Sequence, residues 1–470
     1  MAQLVRADQD LVAETERLDR LIIEAVSKEP AKRNSIAEQQ IRDRIRALAI
    51  ERTKNETVLR QQFPGYADLA KPQPLSVQET QQLLGPDEVL VVFDFDQRSY
   101  AGIMTRSQSS IVEVNITAKD LEAKVKAIRS SLTGEGDTQS FDLNAAYTLY
   151  QILFGSFAKQ IASKTQLYVV SNGALTSVPL QLLITNDPAG KSLKEVDWLV
   201  RSYAITNLPS VASLKPLRAR KNDTSARKPL IAFADPIFSE QAKKEAGQKI
   251  TMQTLLTLAR GSQGSLEQLP GTRKEVESIA AALKIDPSDI KFGLDATEAA
   301  VKTAKLEDYS VVYFATHGLV AGDPEIYEKG KVEPALALSI PDGPSDLDDG
   351  FLFASEVARL KLNADWVVLS GCNTAAGDKP GAEALSGLAR AFFYAGARSL
   401  LVSHWEVDDK VTARLMTKVF LLTKENPKLS HGEALQHAML SIINEASSEE
   451  DLHPRWWAPF VVVGEAREPD

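Results

Sequence analysis

Two short segments of this 470-residue chain end in residue types that can perform covalent chemistry. One apolar stretch begins at Val311 and runs into His317, and another begins at Trp366 and runs into Cys372, the single cysteine of the chain. An imidazole beside a thiol can take its proton, stabilise the thiolate and later protonate a leaving amine. The two segments therefore predict a cysteine nucleophile with a histidine general base.

Glycine accompanies both residues, since Gly318 follows the histidine and Gly371 precedes the cysteine. Glycine allows a close approach of backbone to substrate, and backbone amides near Gly318 and Cys372 are predicted to bind the oxyanion. Structural roles are the alternative, because a lone cysteine often packs as a small apolar side chain and a histidine often serves as a hydrogen-bonded structural group. His404 ends another apolar stretch and is a rival base, but the glycine beside His317 favours His317.

Both segments belong to an alternation of apolar strands and helices that fills residues 230–470. This alternation predicts an α/β fold with a parallel sheet covered by helices on both faces, in which sites lie at the carboxyl ends of strands. In the helix predicted from Thr272 to Leu283, Thr272 and Glu275 have the spacing of a capping box. The strands are predicted at residues 230–235, 290–293, 311–316, 366–371, 399–405 and 460–464.

The first half of the chain divides into two further units. Residues 1–62 predict a helical hairpin broken near Pro30, and residues 63–214 predict an α/β lobe with strands at 88–96, 99–105 and 167–173. The basic segment 214–230 is interpreted as a solvated linker. Residues 165–175 parallel residues 364–374 but contain no cysteine, so the two lobes are interpreted as related halves.

The composition restricts the classes of function. The chain is 44% hydrophobic and 25% charged with a net charge of −9, which disfavours general affinity for nucleic acid. No apolar run approaches the about 18 residues of a membrane span, and no signal peptide is recognised, so we expect a cytoplasmic protein without membrane contact.

One cysteine excludes an intrachain disulfide framework and a multi-cysteine zinc site. Glycine-rich phosphate-binding motifs are missing, so a nucleotide-binding protein lacks support. No metal or cofactor is predicted, and whether the chain is a fragment of a longer protein stays open.

Several segments together resemble a CHAT domain, a caspase-like cysteine peptidase branch related to separase. They are VVYFATHG (311–318), WVVLSGCNTAAG (366–377), LPGTRKEVESIA (269–280) and ARSLLVSHWEVDD (397–409). GEALQHAM (432–439) and HPRWWAPFVVVGE (453–465) are similar to the C-terminal segments of the family. The resemblance is strong over residues 230–465 and weaker over 167–183. Cys372 follows His317 by 55 residues, which resembles the spacing of caspase-type peptidases, about 50 residues.

The resemblance implies a caspase-like sheet in which His317 is the general base and Cys372 the nucleophile. It also implies that residues 63–214 form an inactive pseudo-peptidase lobe, and that the protein is a regulated protease of bacterial defence or signalling with a protein substrate. Its other expected partner is an activating or helical-repeat protein. Asn-Thr follows Cys372, whereas Arg-Gly follows the cysteine of animal caspases, so specificity for aspartate is not expected. The alternative function is a catalytically silent scaffold that uses the N-terminal hairpin as an interaction arm.

The segment after His404 predicts the specificity pocket. Trp405 offers an aromatic wall, and the side chains of Glu406, Asp408 and Asp409 offer carboxylates. A buried carboxylate at the base of a pocket would select Arg or Lys through a charge-assisted contact, in agreement with the resemblance to separase. As an alternative, Asp408 and Asp409 cap the helix that follows.

Overall fold

The structure is a computed structural model. It describes the backbone at residues 7, 11, 14–15, 17–18, 21–22, 34–62, 74–133, 140–218, 227–238, 266, 268–319, 334–341, 343, 345, 347–370, 383–405 and 409–464. Within these ranges the side chains at positions 35, 59–60, 133, 383–386 and 409 are not described.

Eleven strands of the described residues form one mixed sheet, in the spatial order β3-β2-β1-β4-β5-β14-β13-β12-β8-β6-β7. A smaller sheet has the order β11-β10-β9. The strands are β1 (Glu88–Asp94), β2 (Ser99–Met104), β3 (Ser109–Val114), β4 (Gln166–Val170), β5 (Ala204–Asn207), β6 (Lys228–Ala234), β7 (Ile290–Phe292), β8 (Tyr309–Ala315), β9 (Gly318–Leu319), β10 (Ala335–Ala337), β11 (Phe351–Phe353), β12 (Trp366–Ser370), β13 (Ser399–Ser403) and β14 (Phe460–Val463).

Helices cover both faces of the large sheet. On β8, Val311 and Tyr313 point into one apolar core, and Val312 and Phe314 point into the other, because successive side chains of a strand alternate between faces. The α-helices are α1 (Ser35–Gln62), α2 (Val77–Leu83), α3 (Ala118–Thr133), α4 (Leu143–Phe154), α5 (Ala158–Ile161), α6 (Leu214–Arg218), α7 (Pro270–Leu283), α8 (Glu298–Thr303), α9 (Ala354–Val357), α10 (Glu383–Ala395), α11 (Asp409–Glu425), α12 (His431–Glu445) and α13 (Pro454–Trp457).

The first core contains residues of α3, α4, α7, α11 and α12, and the second contains residues of α6, α8, α9 and α10. The predicted α/β class, with helices on both faces of the sheet, is therefore confirmed. The prediction that the second half forms a wholly parallel sheet is wrong at its last strand. β14 is antiparallel to β13 and parallel to β5, so it joins the strands of the two halves. The division into lobes at 63–214 and 230–470 stays a prediction.

Two local predictions are also wrong. α7 starts at Pro270, so its N-cap is Leu269, which has no polar side chain to cap the helix. Thr272 and Glu275 lie inside the helix, where Thr272 accepts from the Asp235 N–H and Glu275 accepts from the Tyr313 hydroxyl. The start of the expected linker, Leu214–Arg218, is helix α6, and both Leu217 and Arg218 are buried in it. Apolar contacts of Leu214 and Leu217, and an ion pair between Arg218 and Glu88, hold residues 214–218 in the core.

The N-terminal residues are helical where the structure describes them. The Arg44 guanidinium on α1 donates to both carboxylate oxygens of Glu14, each at 3.0 Å. This exposed pair connects the segment around Glu14 to α1, as a helical hairpin requires, although such pairs add little stability. The predicted break near Pro30 lies outside the described residues.

His431 begins α12 and stacks on Trp366, with 3.8 Å between ring centroids. Burial lowers the pKa of His431 to about 3, and the nearby charge of Arg398 adds to this effect. The unfolded chain binds a proton near pH 6.5, which the folded protein accepts only near pH 3. This group therefore lowers the free energy of unfolding as the pH falls through that window.

We expect His431→Gln to make the free energy of unfolding less sensitive to acid. Between pH 6 and pH 5 the wild type should lose about 1.2 kcal/mol more than the variant, since the unfolded chain takes up one proton with a pKa of 6.5. Urea unfolding at pH 7, 6 and 5 measures this difference. Equal slopes for the two proteins would contradict the assignment of a buried neutral imidazole.

Candidate active site

Three parallel strands end side by side at one edge of the large sheet. Ala234 of β6 pairs with Ala315 of β8, and Ala315 pairs with Ser370 of β12. His317 therefore follows the carboxyl end of the central strand of the three. The pairing offset between β8 and β12 is 55 residues (370 − 315), which equals the separation of His317 from Cys372 in the sequence. Cys372 itself lies outside the described residues.

The backbone on both sides of His317 is fixed by hydrogen bonds. The Thr316 N–H donates to the Ser370 carbonyl at 3.1 Å, and the Thr316 hydroxyl donates to the Ala337 carbonyl at 2.5 Å. The carbonyl of His317 accepts from the Ala337 N–H at 2.9 Å. The histidine is thus held between the end of β12 and the small sheet.

The imidazole of His317 is half-buried and packs against an aromatic ring. Its centroid lies 5.3 Å from that of Phe238, whose side chain is 7% exposed. Phe238 in turn packs with Leu319 and Phe353 of the small sheet. Gly318, the predicted oxyanion residue, begins β9 and pairs with Leu336. The small sheet therefore holds both the imidazole and the backbone that follows it.

Asp235, which sequence analysis did not select, occupies the end of β6 at the same sheet edge. Its φ is 51°, a left-handed conformation that a non-glycine residue rarely adopts. Its carboxylate accepts from Arg273 Nε and Gln268 Nε2, each at 2.9 Å, and its N–H donates to the Thr272 hydroxyl at 3.0 Å. These contacts hold the turn that leads from β6 to the ring of Phe238.

A chain of buried hydroxyls lies beneath the site. The Tyr313 hydroxyl donates to the Glu275 carboxylate and interacts with the side chain of Ser370, which precedes the predicted nucleophile by two residues in the sequence. Burial raises the pKa of Tyr313 well above its ordinary value, and the charge of Glu275 adds to this. Tyr313 thus stays neutral and ties α7 to the two strands that carry the predicted dyad.

His404, the rival base, also follows a strand that ends at this edge, because β13 is parallel to β12. However, it is only 3% exposed, whereas His317 is half-buried. Burial, with a smaller contribution from the nearby Arg129 charge, lowers the pKa of His404 to about 3, while the Ser177 carbonyl acts in the opposite direction. An enclosed imidazole is poorly placed to exchange protons with a substrate, so the geometry favours His317.

The predicted specificity residues follow His404. Trp405 is 4% exposed, and its Nε1 donates to the Arg455 carbonyl at 2.9 Å, so its ring lies mainly in the core. Glu406 and Asp408 lie outside the described residues. Asp409 begins α11, but its side chain is not described. The choice between a pocket carboxylate and a helix cap therefore stays open for these acids.

In the part of the chain that the structure describes, no group of three or more His, Cys, Asp or Glu side chains could hold a metal ion. No helix among the same residues is both long and apolar enough to cross a bilayer.

Residues 143–465 match the CHAT domain family, and the chain belongs to this family. The resemblance to the CHAT domain drawn from the motifs is thus confirmed. Tetratricopeptide repeat protein 28 of Mus musculus is 26% identical over an alignment of 325 residues, and the match covers 64% of this chain and 12% of that protein. The Homo sapiens protein of the same name matches equally. The chain therefore spans about an eighth of the length of these curated relatives.

Two solved structures are similar in part. The Saccharomyces cerevisiae separase–securin complex matches with a TM-score of 0.44 and 10% identity, over 85% of this chain and 30% of that chain. The Arg-specific cysteine proteinase gingipain R matches with a TM-score of 0.38 and 12% identity, over 74% of each chain.

Proposed function

We propose that the protein is a cysteine endopeptidase that cleaves a protein substrate with a dyad of Cys372 and His317. The observation that supports this most is the 55-residue pairing offset of β8 and β12, which equals the separation of the two residues. If the backbone continues in the same register beyond Ala315 of β8 and Ser370 of β12, His317 and Cys372 lie side by side.

The reaction needs only groups of the protein and water. The thiolate sulfur of Cys372 attacks the scissile carbonyl carbon, and backbone amides near Gly318 and Cys372 bind the oxyanion that forms. The imidazolium of His317 gives its proton to the amine as the C–N bond breaks, which leaves an acyl-enzyme. His317 then takes a proton from water, whose oxygen attacks the acyl carbon and releases the thiolate.

The proposed specificity is cleavage after Arg or Lys. The supporting observation is that β13 is parallel to β12, and that β13 leads in the sequence to the acids Glu406, Asp408 and Asp409 as β12 leads to Cys372. A carboxylate there would pair with the cationic side chain of the substrate.

Cleavage of a diverse peptide library should show enrichment of Arg and Lys immediately before the scissile bond. Among Glu406→Gln, Asp408→Asn and Asp409→Asn, the variant that removes the pocket carboxylate should lose about 10- to 100-fold in kcat/KM for these peptides, because it leaves the substrate cation unpaired. Its cleavage of uncharged peptides should change little. Asp308→Asn, at an exposed position just before the amino end of β8 and so at the opposite edge of the sheet, is the matched control. A library profile without basic enrichment would refute the specificity.

A protein partner is the second part of the proposal. The curated relatives carry tetratricopeptide repeats by name, and α1 exposes Ile36 and Ile50. These observations support an activating or helical-repeat partner that binds the N-terminal hairpin. They equally favour the alternative, a silent scaffold. A role in bacterial defence or signalling rests on the motif resemblance alone, and the cytoplasmic location remains a prediction.

A further inference from the structure

The segment that begins with β10 contacts the backbone of His317 and also the backbone that carries the ring packed against its imidazole. The Ala337 N–H donates to the His317 carbonyl at 2.9 Å. Two residues further on, the Ser339 hydroxyl contacts the main chain directly before Phe238, the ring beside the imidazole. One short segment therefore holds both partners of this ring contact.

Ser339 is buried, with 1% of its surface exposed, and its hydroxyl forms two hydrogen bonds. The hydroxyl accepts from the Ile237 N–H at 2.8 Å and donates to the Gly293 carbonyl at 2.7 Å. The Ser339 N–H donates to the Ala296 carbonyl at 3.0 Å. A hydroxyl can accept and donate at the same time, whereas a methyl group can do neither. Ser339 therefore links the segment before Phe238 to the turn that follows β7.

The backbone before Phe238 is held at both of its polar groups. The Ile237 carbonyl accepts from the Ile340 N–H at 3.0 Å, so the N–H and the carbonyl of Ile237 both bind the segment after β10. The ring of Phe238 packs with Leu319 in the apolar cluster of the small sheet. It lies at 51° to the imidazole of His317, with 5.3 Å between centroids. Because protein interiors are close-packed, a shift of this ring changes the orientations open to the imidazole.

We propose that Ser339 positions the imidazole of His317 by fixing the backbone that carries the ring of Phe238. Ser339 and Phe238 are positioning residues, since both act on the reaction through His317. The proposal rests on the proposed function in that His317 serves as the base. The contact between the two rings, however, can be observed without any peptidase activity.

The test compares Ser339→Ala, which removes the hydroxyl, with Ser339→Thr, which keeps it. Phe238→Leu removes the aromatic ring itself, and Phe238→Tyr keeps one. The matched control is Ser131→Ala, because Ser131 is also a buried serine, and its hydroxyl donates to the Ile128 carbonyl at 2.7 Å within α3.

The first readout is the NMR resonance of the His317 ring in protein that carries isotope-labelled histidine. The chain has five histidines, and the resonance of His317 is identified by its absence in His317→Gln. The ring current of Phe238 acts on this resonance only while the two rings remain in contact. The second readout is the pair of constants KM and kcat for the best peptide of the library.

For Ser339→Ala we expect the His317 resonance to move towards its position in Phe238→Leu, while the other histidine resonances keep their positions. The value of kcat should fall by about 10- to 100-fold with KM within about twofold, because a misplaced base slows proton transfer without changing how the peptide binds. Ser339→Thr and Phe238→Tyr should return towards the wild type in both readouts, and Ser131→Ala should not differ from it.

An unchanged His317 resonance in Ser339→Ala overturns the inference. Movement of every histidine resonance also overturns it, because this would show loss of the fold rather than of one contact. If the wild type cleaves no peptide, the proposed function fails, and the spectrum alone decides whether Ser339 holds the two rings together. If the wild type cleaves and the resonance moves without a fall in kcat, the inference fails while the proposed function stands.

Discussion

Cys372→Ala is expected to lower kcat for peptide cleavage by about 10⁴-fold or more, because no other nucleophile is available to form the acyl-enzyme. His317→Ala should lower it by about 10²- to 10⁴-fold, the usual contribution of general acid–base catalysis. Steady-state cleavage of the best library peptide measures both losses. The two effects should not add in the double variant, since the residues act as one unit.

The matched control is His437→Ala, which removes an exposed histidine of α12 and should leave kcat unchanged. The dyad also predicts a thiol of lowered pKa in the wild type. Alkylation of Cys372 should therefore be rapid at pH 7 and slow in His317→Ala. Cleavage that survives His317→Ala but not His404→Ala would transfer the role of base to His404. A wild type that neither cleaves nor labels, with or without candidate activators, would identify a scaffold.

Arg218→Met is expected to lower the free energy of unfolding by about 3–5 kcal/mol, since it leaves a buried carboxylate without its counter-ion. Glu88 lies at the start of β1, and its side chain is 8% exposed. It accepts from Arg218 at 2.9 Å, from the Tyr168 hydroxyl at 3.1 Å and from the Gly85 N–H at 2.6 Å. Denaturant unfolding at pH 7 measures the loss.

Two controls separate burial from the loss of an ion pair as such. Arg98→Met breaks the ion pair between Arg98 and Glu113, whose side chains are 69% and 55% exposed. This variant should leave the unfolding midpoint unchanged. The double variant Glu88→Leu with Arg218→Met should recover much of the stability, because it removes the uncompensated charge. If Arg218→Met behaves like Arg98→Met, the ion pair does not hold the end of α6 against the sheet.

The strands that carry the predicted dyad could be found from sequence because both are buried on both faces. Such strands are continuous apolar runs, and parallel pairing then brings their carboxyl ends together. β3 gives no such signal, since it is a half-exposed edge strand in which Ile111 is 78% exposed. β5 has four residues and is too short for a pattern to appear. The direction of β14 could not be predicted, because a wholly apolar strand has the same sequence pattern whether it is parallel or antiparallel to its neighbour.

The surroundings of the site were less predictable because they depend on contacts between distant segments. Phe238 meets His317 across 79 positions of sequence, and Arg273 meets Asp235 across 38. The only local sign in the sequence of the contacts around Asp235 was the position of this aspartate directly after an apolar strand. The capping box predicted from Thr272 and Glu275 was wrong for the same reason, since both side chains bond to distant residues. Thr272 accepts from the Asp235 N–H after β6, and Glu275 accepts from Tyr313 of β8. Likewise, the sequence around His404 gives no sign that its side chain is buried near Arg129 and Ser177, which are distant in the sequence.

The order of the sheet bears on how the chain matures during synthesis. β14 lies between β13 and β5, yet it is translated after every other strand of the sheet. Until residues 460–463 leave the ribosome, β5 and β13 each present an unpaired edge, which is open to wrong partners. The nascent chain can therefore form two separate part-sheets, whereas the hydrogen bond from the His404 N–H to the Pro459 carbonyl forms only when β14 is in place. A chain built in this way completes its large sheet only once β14 has been made, and so the two halves of the sheet stay separate for most of translation.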